Sequence, residues 1–423
     1  MMTSHKDKFD FPASFFWGAA VSAHQVEGGN HNNWSVWELE NAKSLASAAP
    51  FKLGHLAIWP EIAPLATNPD TYVSGPSIDH YNRYNLDFAI AKKLHMNAFR
   101  FSIEWSRIEP EEGVWSKEGL EHYRQYIAAM KACGLEPMMT LYHWTVPTWF
   151  DERGGFERSS NIRYFVRFAE KVIDEFYHDV RYITTINEPD TVMSHGYVTQ
   201  DHPPQKHSYL AAIAVYINLL RSHKTIYKLA HKKSRRLHVG FTKSYAAVSS
   251  VDDRLLSKIA TRLDYWLRDD LILGYVKRQL DFIGVNYYFV DRHAGVGFQP
   301  SDGTNLNDVG WEMQPGEIYG VLMRLRKWKK PLIITESGVA DMHDQYRQDW
   351  ILQTVRAVQR ARQDGVRVIG YLHWSMFDNF EWALGRWPRF GLVAIDYDNN
   401  LKRTVRGSGL WYGRLIKRIR DEK

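Results

Sequence analysis

Eight short apolar segments recur along the chain, and between them lie stretches whose hydrophobic residues fall three and four positions apart. The segments are "FFWGAA" (15–20), "NAFRFS" (97–102), "EPMMTLYHW" (136–144), "YITTINE" (182–188), "LHVGFTK" (237–243), "DFIGVNYY" (281–288), "PLIITE" (331–336) and "VIGYLHW" (368–374). Each is short and rich in β-branched or aromatic residues, as a strand covered on both faces of a parallel sheet must be. The runs 84–95, 119–134, 162–177, 209–233 and 349–365 have the period of helices packed on such a sheet. Eight strands alternating with helices predict an α/β fold, a closed (β/α)8 TIM barrel. A doubly wound open sheet is the alternative, but no Gly-rich turn with dinucleotide-binding spacing follows the first strand.

The chain of 423 residues is long enough for one such barrel with long loops. No linker, low-complexity tract or shift in composition divides it, so residues 1–423 are expected to form a single catalytic domain. The 16 Trp and 23 Tyr either fill a core, which accounts for most of them, or line a site for ligands with flat apolar faces, such as sugars. A net charge of +6, with Lys and Arg interspersed among acids, gives little support to nucleic-acid binding. The basic groups 324–330 and 414–420 have helical spacing and read as solvated helix faces. The lone Cys133 excludes an internal disulfide, and no zinc-ligand spacing occurs, so neither metal nor cofactor is expected. The start, "MMTSHKDKFDFP", has no apolar signal core and no later stretch is apolar enough to span a membrane, so a cytoplasmic protein is expected.

In this fold functional groups project from the C-terminal ends of the strands, where the loops converge on one cavity. Those ends supply Gln25, Arg100, His143, Asn187 with Glu188, Tyr287 with Tyr288, Glu336 and Trp374; the fifth strand ends in nothing interpretable. Glu188 and Glu336 close strands four and seven, placed roughly opposite each other in an eight-membered ring. Two carboxyl groups facing across a pocket are what glycoside cleavage needs: one protonates the leaving oxygen, and one meets the positive charge growing at the anomeric carbon. A Gly-x-Ser-x-Gly nucleophile elbow is absent, and "GVGFQP" (295–300) lacks the helix that a phosphate site requires.

The same segments carry a resemblance. "FPASFFWGAAVSAHQVEG" (11–28), "FRFSIEWSRIEP" (99–110), "LYHWTVPTWF" (141–150), "GGF" (154–156), "TINEP" (185–189), "DFIGVNYY" (281–288), "ITESG" (334–338) and "YLHWSMFDNFEWALGRWPRFGLV" (371–393) appear in order. Together they resemble glycoside hydrolase family 1, the β-glucosidase and β-galactosidase family, from about Phe11 to about Tyr412. The resemblance implies a retaining exo-β-glycosidase acting on small β-glycosides or oligosaccharides, with Glu188 as acid/base and Glu336 as nucleophile. It places Arg100 and Tyr288 against the nucleophile. Gln25, His143, Asn187, Glu381 and Trp382 fall on the sugar hydroxyls, and Trp374 falls beneath the sugar ring. Glu381 carries a charge that would repel a phosphate, which favours a non-phosphorylated sugar.

Three features depart from the family pattern. Ser337 stands where Asn is commoner, and Phe156 stands where Trp is usual. The stretch between about Leu263 and Asp281 is compressed, so part of the barrel wall is expected to be shortened. That shortening would expose apolar surface for a ligand or for a partner in a homo-oligomer. The choice among glucose, galactose, fucose and mannose as the sugar cleaved is not legible in these motifs.

Overall fold

All eight apolar segments form parallel strands: β1 (Phe16–Ala20), β2 (Ala98–Ser102), β3 (Glu136–Tyr142), β4 (Tyr182–Asn187), β5 (His238–Ser244), β6 (Phe282–Tyr287), β7 (Leu332–Ser337) and β8 (Val368–Trp374). In this computed structural model, which describes residues 8–295, 297–299 and 303–422, they close into a barrel in the order β1-β8-β7-β6-β5-β4-β3-β2. Residues 1–7 of the opening stretch, and 296 and 300 of the Gly-x-Gly stretch, lie outside the described residues. Eight principal helices follow the strands in turn: α1 (His80–Lys93), α2 (Lys117–Ala132), α3 (Ile162–Phe176), α4 (Tyr209–Lys233), α5 (Leu255–Tyr265), α6 (Ile318–Leu325), α7 (Arg347–Gln363) and α8 (Gly407–Asp421). Among the described residues no helix is long and apolar enough to cross a membrane.

The barrel interior has an apolar floor and a polar mouth. Ala98, Met138, Phe282, Ile333 and Leu372 pack together with Phe16 and Tyr182 to fill the lower end. Outward-facing residues such as Ile183, Ile186, Val239, Val285, Leu332 and Ile334 pack instead into the layer between sheet and helices. This two-sided burial explains why the strands read as continuous apolar runs rather than as alternating ones.

Two strands break the alternation near their ends. The pairing of β4 with β5 shifts register between Thr184 and Asn187, and that of β7 with β6 shifts between Ile334 and Glu336. A bulge turns the residues beyond it to the opposite face. Thr185 and Ile186 therefore both face the helices, and Asn187 comes round to the axis. On β7, Thr335 and Glu336 both face inward. Gly338 follows because a Cβ there would lie 1.7 Å from the Trp374 carbonyl oxygen.

The compressed stretch 263–281 still supplies a wall element. After α5 the chain continues through a π turn at Trp266–Asp270, a helix at Leu271–Val276 and a 3-10 turn at Lys277–Gln279 that leads directly to β6. One expectation needs correction: the basic group 324–330 is not a helix face. α6 ends at Leu325, Arg326–Trp328 is a 3-10 turn, and Lys329 is left-handed. Arg324 is only 14% exposed because it pairs with Asp269 at 2.6 Å, so burial rather than solvation accounts for it.

Candidate active site

Glu188 is the first residue beyond β4 and has a left-handed backbone (φ 43°, ψ 67°), which lets the chain leave the strand and enter the short helix Pro189–Ser194. A glutamate at positive φ is strained, and such strain persists where surrounding bonds hold it. Here the Glu188 N–H donates to the Thr242 carbonyl at 2.8 Å. Its carboxyl accepts from Asn286 Nδ2 at 2.7 Å and from the Thr191 hydroxyl at 2.8 Å. Burial, then the neighbouring charges of Glu336 and Asp190, push the Glu188 carboxyl up to about 8.

Glu336 is held differently. Arg100 on β2 donates to Glu336 Oε1, and the Tyr288 hydroxyl donates to Oε2 at 2.7 Å. Arg100 is 1% exposed and its other terminal nitrogen donates to Asn187 Oδ1 at 2.7 Å, so one guanidinium aligns residues of β7 and β4. Burial, then Glu336 and Glu188, raise the Tyr288 phenol well above its ordinary range, which keeps it a hydrogen-bond donor.

Strands β4 and β7 are three steps apart in the ring rather than four, and β6 and β5 lie between them. β6 consequently serves both carboxyls, Asn286 binding Glu188 and Tyr288 binding Glu336. Tyr287, between these two residues, faces the other way and donates to the Gln314 carbonyl at 2.6 Å, so it is not part of the site.

The remaining sequence-derived residues gather around this pair. Asn187 Nδ2 donates to His143 Nε2 at 3.1 Å, and burial followed by the Arg100 charge holds His143 well below its usual range, as a neutral ring. Gln25 donates to the Phe380 carbonyl at 2.8 Å and to Glu381 Oε2 at 3.4 Å. Burial, then Glu336 and Glu188, raise Glu381 to about 8, so near neutrality it is largely protonated and the charge expected to repel a phosphate is weakened. Trp374, ending β8, is 3% exposed and packs with Ala20, Ala340 and Phe390. The His143 ring stacks between the two tryptophans, its centroid 6.1 Å from both Trp374 and Trp382.

Five contributors escaped the sequence reading. Asn286 could have been found by the strand period, since it stands two residues before Tyr288 on the same face. His24 stacks on Trp382 at 5.5 Å and is itself fixed by Glu38 at 2.6 Å, a pairing with no local signature. Trp34, Trp144 and His202 form a rim over Trp382, with Trp34 and Trp144 each centred 4.6 Å from it. Segments remote in sequence, among them the start of the helix Asn33–Leu53, bring these rings together.

His195, Asp201 and His202 are the one group among the described residues with three candidate metal-ligand atoms within 4.8 Å of one another. Asp201 already pairs with His195 Nδ1 at 2.9 Å and accepts from the Thr199 hydroxyl, so its bonding is met without an ion.

The family model for glycosyl hydrolase family 1 matches residues 7–264 and 269–420. Beta-glucosidase A of Thermotoga maritima is 30% identical over 456 residues, covering 96% of this chain and 98% of its own length. The solved beta-glycosidase from Pyrococcus horikoshii superposes with a TM-score of 0.84 at 31% identity, covering 97% of this chain and 95% of that one. The beta-glucosidase from Thermotoga maritima in complex with glucoimidazole gives a TM-score of 0.83 at 27% identity, over 96% of this chain and 98% of that one. With an eight-stranded parallel barrel, a polar mouth and this match over nearly the whole length, the chain belongs to glycosyl hydrolase family 1 and is a glycoside hydrolase.

Proposed function

We propose that the chain, acting as one catalytic domain, is a retaining exo-β-glycosidase for β-D-glucosides and related galactosides and fucosides. The observation that carries this reading is the unequal treatment of two neighbouring carboxyls. Glu188 is raised to about 8 by burial and by the charges of Glu336 and Asp190, so near neutrality it holds a proton. Glu336 is bound to the Arg100 cation and to the Tyr288 hydroxyl, an environment that orients a carboxylate for attack. A buried acid beside an oriented carboxylate is the division of labour that double displacement requires.

In the first step the Glu188 proton passes to the glycosidic oxygen as the C1–O bond breaks, and a Glu336 oxygen forms an ester to C1. The ester removes the negative charge of Glu336, which lowers the proton affinity of Glu188. Glu188 then takes a proton from water, whose oxygen displaces Glu336 from C1. Asn187, bonded through Oδ1 to Arg100, is set for the sugar 2-hydroxyl. Gln25, His143, Glu381 and Trp382 would take the other hydroxyls, with Trp374 as the apolar platform.

Glucose is favoured because the solved Thermotoga maritima relative is a beta-glucosidase in complex with glucoimidazole. The test is proton NMR of an aryl β-D-glucoside during hydrolysis. The β-anomer of glucose is expected first, with the α-anomer growing in only by mutarotation. The α-anomer as first product would contradict retention, and no turnover of glucoside, galactoside or fucoside would contradict the substrate class.

A further inference from the structure

Twenty large hydrophobic side chains stand at least a third exposed among the described residues, and their distribution is uneven. Four lie on α4 and eight on α5 and its continuation, so two neighbouring helices hold more than half of them. On α4 the exposed face carries Leu210, Ile213 and Ile217, exposed by 84%, 54% and 39%. On the second helix Leu256, Ile259, Leu263, Leu267 and Leu271 form a stripe, each about half exposed.

The two faces are side by side. Both helices begin at the mouth end of the barrel, because each follows a parallel strand. Past the middle of α4 the Lys224 ammonium sits 4.1 Å from the Tyr275 ring centroid near the end of the second helix, and His223 Nε2 lies 2.7 Å from the Gln279 carbonyl oxygen just beyond it. The stripe is also kept straight. Steps of four residues would drift around an α-helix of 3.6 residues per turn, and the wider π turn at Trp266–Asp270 takes up that drift between Leu263 and Leu271.

This face is not a misplaced core face. Ile272, Leu273 and Val276 seat the helix on the barrel, and Asp269 is tied down by Lys243 at 3.2 Å and Arg324 at 2.6 Å. The exposed stripe is additional to a complete set of inward contacts. A helix apolar on both sides is buried on both sides in its working state.

We propose that the outer face of α4 and of the helix 255–276 is a homodimer interface, covered by the same face of a second copy. Half-exposed side chains of this size offer on the order of 100 Å² each, so the patch amounts to roughly 1,000 Å² per copy. That exceeds the ~300–600 Å² of the largest patch on an ordinary monomer and matches the ~800 Å² that each partner gives to a stable interface. Beside the second helix, Arg254, Lys258 and Arg268 pair with Asp252, Asp253 and Asp264 of the same chain. On α4 the exposed cations Arg221 and Lys228 lie beyond Ile217, so the apolar turns 209–217 and the stripe 256–271 are the part that a two-fold axis would pair with itself.

The test is sedimentation velocity of the full chain from 1 to 50 μM, alone and with liposomes of neutral or anionic phospholipid. A dimer is expected at micromolar concentration without lipid. The double variant Leu263→Glu with Leu267→Glu is expected to weaken association at least 100-fold and leave turnover of an aryl β-glucoside within twofold. Leu210→Lys on α4 is a second, independently placed disruption, expected to weaken association at least 10-fold while the protein stays folded by circular dichroism. A monomer at 50 μM, a dimer unaffected by folded variants, or a monomer that binds liposomes through this face would each overturn the proposal.

Discussion

The mouth of the barrel and the wall formed by α4 and α5 solve opposite problems. At the mouth, Glu188 and Glu336 are 6% and 4% exposed, and each carboxyl is held by two side-chain donors. On the wall, Leu210 and Leu255 are 84% and 74% exposed, with no protein surface over them. The mouth is over-determined, so a lost donor changes chemistry. The wall is determined on one face only, so a changed outer residue is expected to alter the proposed association and leave chemistry intact. Lys243 on β5 joins the two regions, buried between Asp190 at 3.3 Å, two residues after Glu188, and Asp269 at 3.2 Å on the wall helix.

The largest expected contrast comes from Glu336→Ala against the wall double variant. Loss of the proposed nucleophile is expected to reduce kcat on the order of 10⁴-fold, since the proposed displacement has no substitute group. The wall variant should stay within twofold, and steady-state kinetics on one aryl β-glucoside compares them directly. Next comes Lys243→Met, which removes the cation shared by half-buried Asp190 and buried Asp269. Breaking a fully buried pair costs about 3–5 kcal/mol, but Asp269 keeps Arg324 at 2.6 Å, so urea denaturation should show a smaller loss, about 1–3 kcal/mol, together with reduced activity. An unchanged midpoint would mean that mouth and wall are not coupled through this residue. Asn286→Ala is smaller: Glu188 keeps Thr191 but loses its shorter bond, and kcat is expected to fall about 10–100-fold with little change in KM.

The smallest effect is on pH dependence, and its sign follows from the raised carboxyls. Glu188 must be protonated for the first step, so kcat/KM is expected to fall as pH rises through about 8. Glu188→Gln should abolish that limb for substrates whose leaving group needs no proton. Glu381 also titrates near 8, and Glu381→Gln separates the two by keeping the limb. In the unfolded chain both acids release their protons near 4.5. The folded state therefore holds extra protons between about 4.5 and 8, and stability is lost as pH rises through that window. Glu381→Gln is expected to raise the melting midpoint by a few degrees at pH 8 and hardly at all at pH 4, read by differential scanning calorimetry.

The sequence carried the barrel because the strands are short apolar runs and the helices between them place apolar residues three and four positions apart, signals that survive in a single chain. The bulges in β4 and β7 were not legible, since "ITTINE" and "LIITE" look alike with or without a slipped register. Asn286 was within reach through its two-residue spacing to Tyr288, whereas Trp34, in the helix Asn33–Leu53 after β1, and His202, in the connection after β4, meet through paths that no local pattern states. On the wall the limit was different. Residues 255–276 are apolar at so many positions that spacing cannot separate the seated face from the free one; Ile272 and Leu271 differ only in which way they point.

The division of roles between the two carboxyls is tested most directly by azide rescue of Glu336→Ala and Glu188→Ala, with the anomeric configuration of each product read by NMR. With Glu336 as nucleophile, azide takes its place on the α face and Glu336→Ala is expected to yield an α-glycosyl azide. With Glu188 as acid/base, Glu188→Ala still forms the glycosyl-enzyme, and azide displaces Glu336 to yield a β-glycosyl azide. The same configuration from both variants, or the reverse assignment, would contradict the roles given to Glu188 and Glu336.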